Sequence, residues 1–255
     1  MFIISRKDTP LDGANPTILY GYGGFNISIL PSFSVTWLHM KGVVAVANTR
    51  GGGEYGEKWY NEGRLGKKQN VFDDFQWAAK WLIANNYTTP KKLAISGASN
   101  GGLLVCACLN QAPELFGLGM AGVGVLDMYR FHKFTAGSAW TSDYGNPDKA
   151  EDFAVLEQYS PVHNVQTDKP YPAVLASTGD HDDRVPPLHS YKYIATLQHV
   201  APQNPQPLMI RVETKAGHGA GKSTQQKIEE ATETYAFLGK VLEVEWVDDV
   251  AACKL

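Results

Sequence analysis

Gly97-Ala98-Ser99-Asn100-Gly101 sets a serine between two glycines, directly after the apolar run Leu93–Ser96 and directly before Gly102-Leu103-Leu104. A strand-to-helix reversal this short crowds the backbone, so glycines flank the turn and the serine hydroxyl projects from it. The amide that follows the serine, at a helix N-terminus, then faces a developing oxyanion, which makes Ser99 a candidate nucleophile for acyl transfer. The pattern is short and recurs by chance in Gly/Ser loops. Its context, strand before and helix after, carries the reading.

A serine nucleophile needs a base and a group that orients the base, and after a turn of this kind the chain order is serine, acid, histidine. Gly179-Asp180-His181-Asp182-Asp183-Arg184 follows the apolar run Ala173–Ser177, and Lys215-Ala216-Gly217-His218-Gly219-Ala220-Gly221 follows Leu208–Glu213. His218 is the best base because its glycine-flanked loop can approach closely. Asp180, Asp182 and Asp183 compete for the acid role, and spacing alone does not choose among them. His181 beside these acids also suggests a metal, but consecutive side chains diverge and no second ligand cluster accompanies them, so no metal site is expected. His39, His132, His163, His189 and His199 read as structural or surface groups. Tyr20-Gly21-Tyr22-Gly23-Gly24-Phe25 follows the run Thr17–Tyr20 and is a near miss to GxGxxG, with Asn26 at the last glycine position. That disfavours a dinucleotide; in hydrolases with a GxSxG turn, the loop here supplies the second oxyanion donor. Arg50-Gly51-Gly52-Gly53-Glu54 lacks the GK[ST] of a phosphate loop and reads as a turn that lets backbone pass near the site.

The elements that must position these loops are short apolar runs alternating with helical periodicity. Thr17–Tyr20, Val43–Ala47, Leu93–Ser96, Gly119–Val125, Ala173–Ser177 and Leu208–Glu213 read as strands, most of them without in–out alternation, as in a parallel sheet buried on both faces. Asn70 can cap a helix that buries Val71, Phe75, Ala78 and Leu82, with Asp73 and Asp74 in its first turn. Leu188, Tyr191, Ala195 and Gln198 mark a second helical face. Ser223 with Gln226 forms a capping box for a third helix, striped by Ile228, Ala231, Tyr235, Leu238 and Leu242. Strands alternating with helices give one α/β domain: a mostly parallel central sheet with helices on both faces.

Composition narrows the functional classes. The chain has 255 residues, 44% hydrophobic and 19% charged, with a net charge of −3, so it has material for a large core and no basic footprint for nucleic acid or an anionic membrane. Cys106, Cys108 and Cys253 have neither CxxC nor zinc spacing and read as buried free thiols of a reducing compartment. No apolar run has the length of a membrane span, and the apolar start Met1–Ile4 is too short for a signal peptide, so the expected location is cytoplasmic.

Seven blocks in order resemble the catalytic domain of the prolyl oligopeptidase family of post-proline-cleaving serine peptidases: YGYGGFNI from Tyr20, NTRGGGEYG from Asn48, FDDF from Phe72, SNGGLL from Ser99, AWTSDYG from Ala139, HDDRV from His181 and KAGHGAGK from Lys215. The resemblance implies an α/β-hydrolase fold, no cofactor, and a serine endopeptidase or oligopeptidase that cleaves short peptides after proline. It maps the acid to Asp182, the nucleophile to Ser99 and the base to His218. The oxyanion donors map to the Tyr22 hydroxyl and the Asn100 amide, and Arg184 to the arginine that binds a substrate carbonyl beside the proline. Trp140 maps to the indole that stacks on the proline ring, with Phe25, Val125 and Tyr144 lining the same pocket. Such a pocket is chemically apt, because proline offers no amide hydrogen and is recognised by apolar contact.

Against the family pattern, Pro186 replaces an apolar residue, and the chain is expected to lack the family's β-propeller and the N-terminal segments that complete the sheet. An exposed sheet edge would then favour self-association. The alternatives are an esterase of the same fold and an inactive propeller-less fragment serving as an interaction module.

Overall fold

The computed structural model describes residues 1–32 and 42–244; His39 and Cys253 lie outside them. Seven strands form one sheet in the order β1-β3-β2-β4-β5-β6-β7. They are β1 (Phe2–Ile4), β2 (Thr17–Tyr20), β3 (Val43–Val46), β4 (Leu93–Ala98), β5 (Leu118–Gly122), β6 (Ala173–Gly179) and β7 (Leu208–Glu213). β1 pairs antiparallel with β3, and every other pairing is parallel. The uninterrupted apolar runs have the expected cause: β3 is buried at every residue, and Leu93, Ala94 and Ile95 of β4 are fully buried.

The helices are α1 (Glu57–Asn61), α2 (Gln69–Ala84), α3 (Asn100–Gln111), α4 (Thr141–Tyr144), α5 (Ala150–Tyr159), α6 (Leu188–Val200) and α7 (Thr224–Val241). Alternate strand residues face two different cores. Leu19, Leu93 and Ile95 meet Phe72, Phe75 and Leu82 of α2, the buried α3, and Tyr193 and Leu197 of α6. Ile18, Ala94, Leu118 and Met120 meet Leu238 of α7 and Leu242 just beyond it. Truncating a ring such as Phe75, fully buried in the larger core, would cost about 3–5 kcal/mol. Cys106 and Cys108 are buried and free, and burial raises both thiols far above their ordinary range. No helix among the described residues is long and apolar enough to cross a membrane.

Several local expectations need correction. Asn70 does not cap α2: the helix starts at Gln69, and the Asn70 amide instead donates to the Glu62 carbonyl at 2.8 Å. Asp74, one turn in, pairs with Arg50 at 2.7 Å. β5 ends at Gly122, not Val125, because Val123 takes φ 41° and turns its amide to the Ser177 carbonyl at 2.7 Å. On α6 the buried face is His189, Tyr193, Ile194 and Leu197, while Tyr191 is exposed. The capping box of Ser223 and Gln226 forms, but Ile228 of that stripe is exposed.

His189 shows how a polar side chain wins a core position. Its Nδ1 accepts the amides of Leu126 at 3.3 Å and Asp127 at 3.1 Å, so this nitrogen carries no proton and the ring is neutral. Burial lowers it to about 4, with Asp127 pulling in the opposite direction. The unfolded chain binds the proton near 6.5, so the stability from keeping His189 neutral is complete above pH 6.5 and drains as pH falls toward 4. We therefore expect denaturant unfolding to lose up to ~1.4 kcal/mol per pH unit across that window, a slope that His189→Gln removes. An unchanged slope in the variant would contradict this assignment.

Candidate active site

Parallel register brings the carboxyl ends of β2, β4, β5, β6 and β7 to one edge: Tyr20 stands beside Ser96, Ala98 beside Gly122, Gly122 beside Ser177, and Gly179 beside Glu213. The loops that leave these ends carry the candidate residues, as expected for an open α/β sheet.

Ser99 links β4 to α3 with φ 58° and ψ −116°, outside the regions open to a non-glycine residue without strain. Its amide donates to the Gly122 carbonyl at 2.8 Å, and its carbonyl accepts the Gly102 and Leu103 amides. The flanking glycines are required sterically. A Cβ at Gly97 would lie 2.4 Å from the Gly101 carbonyl oxygen, and one at Gly101 would lie 2.6 Å from that of Gly21. Ser99 opens into a cavity of about 330 Å³ lined by Tyr22, Phe25, Ile27, Val125, Trp140, Tyr144 and Arg184. Hollows of about 400 Å³ near Pro31 and about 380 Å³ under α7 are larger, but Ser99 lines neither.

Geometry separates the three competing aspartates. Asp182 is 4% exposed; its Oδ1 accepts the amides of Arg184 at 3.0 Å and Val185 at 2.8 Å, and its Oδ2 meets His218 Nδ1 at 2.7 Å. Asp180 instead binds His181 at 2.6 Å, and Asp183 is exposed. The two loops are stitched by backbone bonds from Asp180 to Glu213 and from His181 to Ala216. The Asp182 bond holds the proton on His218 Nδ1 and leaves Nε2 as the basic nitrogen. Among the described residues no hydrogen bond joins His218 to Ser99; such contacts are often long in a substrate-free site and tighten with substrate.

The half-buried Tyr22 hydroxyl lies against the Ser99 side chain. Burial holds the phenol above its ordinary range, and nearby Tyr20 adds to the rise, so it remains a proton donor. The Asn100 amide is the first of α3 and has no partner within its helix. Phe25 and Phe131 each pack edge-on against Tyr144 with ring centroids 5.3 Å apart, and Trp140 stacks near-parallel on Phe131 at 6.4 Å. Arg184 is exposed at the rim, with its carbonyl accepting the Thr135 hydroxyl at 3.0 Å. The glycine-rich segment passes close by, the Gly51 carbonyl accepting the Asn26 amide at 3.2 Å.

Seven of the ten candidate residues line this one cavity; Asn100 follows Ser99 at the start of α3, and Asp182 joins His218 to the Arg184 amide at its rim. Sequence reading missed the polar groups that hold them. Asp143 is fully buried and accepts the Phe25 amide at 2.9 Å and the Tyr60 hydroxyl at 3.2 Å. Its signal was an acid inside the aromatic block AWTSDYG. Lys68 is also fully buried, yet in Lys67-Lys68-Gln69 nothing distinguishes it from a surface charge.

The sequence profile of the prolyl oligopeptidase family matches residues 31–245. The chain belongs to the prolyl oligopeptidase family. It is 54% identical over 253 residues to prolyl oligopeptidase A of Galerina marginata, covering 97% of this chain and 34% of that protein. It is 50% identical over 241 residues to a prolyl endopeptidase of Elizabethkingia miricola, covering 93% and 34%. The solved structure of prolyl oligopeptidase B from Galerina marginata, bound to a 35mer hydrolysis and macrocyclization substrate, aligns with a TM-score of 0.92 at 46% identity, over 96% of this chain and 35% of that one. The chain thus spans about a third of the length of these family members.

Asp182→Asn tests the His218 geometry directly. The new Oδ1 keeps both backbone amides, but Nδ2 then faces Nδ1 of His218 and drives the ring proton to Nε2. Any hydrolytic turnover at Ser99 should fall by about 10⁴ while far-UV circular dichroism stays unchanged; a loss under tenfold would contradict the orienting role.

Proposed function

We propose that the chain is the catalytic part of a serine peptidase that cleaves short peptides on the carboxyl side of proline. The observation that carries this is the cavity at Ser99, with an aromatic and aliphatic wall and an arginine at its rim, together with the Asp182–His218 pair in the loops that follow β6 and β7. His218 takes the Ser99 proton as Oγ attacks the carbonyl carbon of the proline residue itself, while the Tyr22 hydroxyl and the Asn100 amide receive the oxyanion. His218 then protonates the leaving amine, and water, deprotonated by the same imidazole, releases the acyl group. Asp182 keeps the imidazole in the required tautomer. Phe25, Val125, Trp140 and Tyr144 would hold the pyrrolidine ring by contact alone, and Arg184 would donate to a peptide carbonyl.

That chemistry favours a peptide over a lipid ester, because an acyl chain gives Arg184 no carbonyl to bind. Comparing a Gly-Pro anilide with a short acyl ester of equal reactivity separates the two. The anilide should be the better substrate by kcat/KM, and Arg184→Ala should narrow the gap; equal kcat/KM values for the two would favour the esterase reading. Tyr22→Phe removes one oxyanion donor without touching the core, so kcat on the anilide should fall by about 10²–10³. Near-wild-type turnover would remove Tyr22 from the mechanism.

A further inference from the structure

Behind the oxyanion side of the cavity lies a cation whose placement is unusual. Lys68, just before α2, has a side chain only 1% exposed. Its Nζ donates to the Gly23 carbonyl at 3.0 Å and to Asn100 Oδ1 at 3.1 Å, and lies 3.9 Å from Asp143 Oδ1. Two of three donors are thus committed to neutral oxygens rather than to the counter-ion. Among the described residues, Asp143 Oδ1 has no hydrogen-bond partner of its own. Burial lowers the ammonium to about 8, with Asp143 opposing the fall, so it is charged at neutral pH.

The two neutral acceptors belong to the two parts that supply the oxyanion donors. Gly23 follows Tyr22 in the loop after β2, and Asn100 opens α3. The Asn100 side chain closes the circuit, donating through Nδ2 to the Tyr22 carbonyl and accepting the Tyr144 hydroxyl at 2.9 Å. Desolvating an ammonium costs several kcal/mol, and a buried ion pair is often no better for stability than a well-packed apolar pair. A stabilising role therefore does not account for a charge at this position.

We propose that Lys68 is a positioning residue: its buried ammonium ties the Tyr22 loop to the first turn of α3, so that the Tyr22 hydroxyl and the Asn100 amide converge on one substrate oxygen. The proposal rests on the reading of Ser99 as nucleophile given above. A positioning role for the oxyanion donors acts on the tetrahedral state, where charge sits on that oxygen, and leaves ground-state binding in the aromatic pocket unchanged.

Removing Lys68 alone strands Asp143 without a cation, so the informative comparison is Lys68→Met/Asp143→Asn against Asp143→Asn. Two quantities are read: kcat and KM on the Gly-Pro anilide, and the affinities of a dipeptide aldehyde ending in proline and of the matching acid. Ser99 Oγ adds to the aldehyde carbon as its proton passes to His218, which places a hemiacetal oxygen between the two donors; the acid forms no such bond. We expect kcat to fall about 10–100-fold with KM within about twofold, and aldehyde affinity to fall in proportion while acid affinity holds. Unchanged kcat in the double variant would mean that Lys68 only neutralises Asp143. Equal losses for aldehyde and acid would mean a general collapse of the pocket, and a double variant that does not fold would assign Lys68 to stability. Each of these three outcomes overturns the proposal. Failure of the unaltered chain to add the aldehyde would overturn the reading of Ser99 itself, and this proposal with it.

Discussion

One strained residue organises the edge of the sheet. Ser99 sits at φ 58° and ψ −116°, a conformation costing on the order of 1–3 kcal/mol that persists only where the surroundings over-determine it. Here they do. β4 is hydrogen-bonded on both sides, to β2 and β5, and α3 is buried along nearly its whole length. Close approach of Gly101 to the Gly21 carbonyl also couples the serine turn to the loop that carries Tyr22. The turn that carries Ser99 and the loop that carries Tyr22 therefore share one backbone contact. A shift in either moves the other.

Around that turn, the site is assembled from strand ends that parallel pairing brings level, then locked by polar groups buried behind them. Asp182 spends one carboxylate oxygen on two amides of its own loop and the other on His218. Asp143 holds the Phe25 amide, and His189 holds the amides of Leu126 and Asp127, next to Val125 of the pocket wall. Each is a buried acceptor serving backbone donors of an irregular segment that would otherwise be unpaired. The cavity wall is apolar; the scaffold that shapes it is not.

How much of this the sequence revealed follows from the range of the interactions. Strands buried on both faces announce themselves as apolar runs, and the turn at Ser99 by its flanking glycines, because these are local steric demands. Helix faces were less readable. α6 presents His189 inward because two loop amides compensate its burial, and no periodicity rule anticipates that. Asn70 had the right residue type for a cap but found a partner in Glu62, and β5 stopped early because Val123 turned to Ser177. Among Asp180, Asp182 and Asp183 the choice needed either a family pattern or the geometry, since spacing places all three equally near His218. Lys68 was invisible, because its partners lie 45 and 32 residues away in the chain.

Ser99, held against the Tyr22 hydroxyl at the mouth of the cavity, is proposed as an activated nucleophile with His218 as its base. Reaction of the folded chain with a fluorophosphonate probe, followed by peptide mapping, tests it most directly. The account predicts stoichiometric modification of Ser99 that His218→Ala suppresses. Absence of labelling in folded chain, or labelling at another residue, would contradict it.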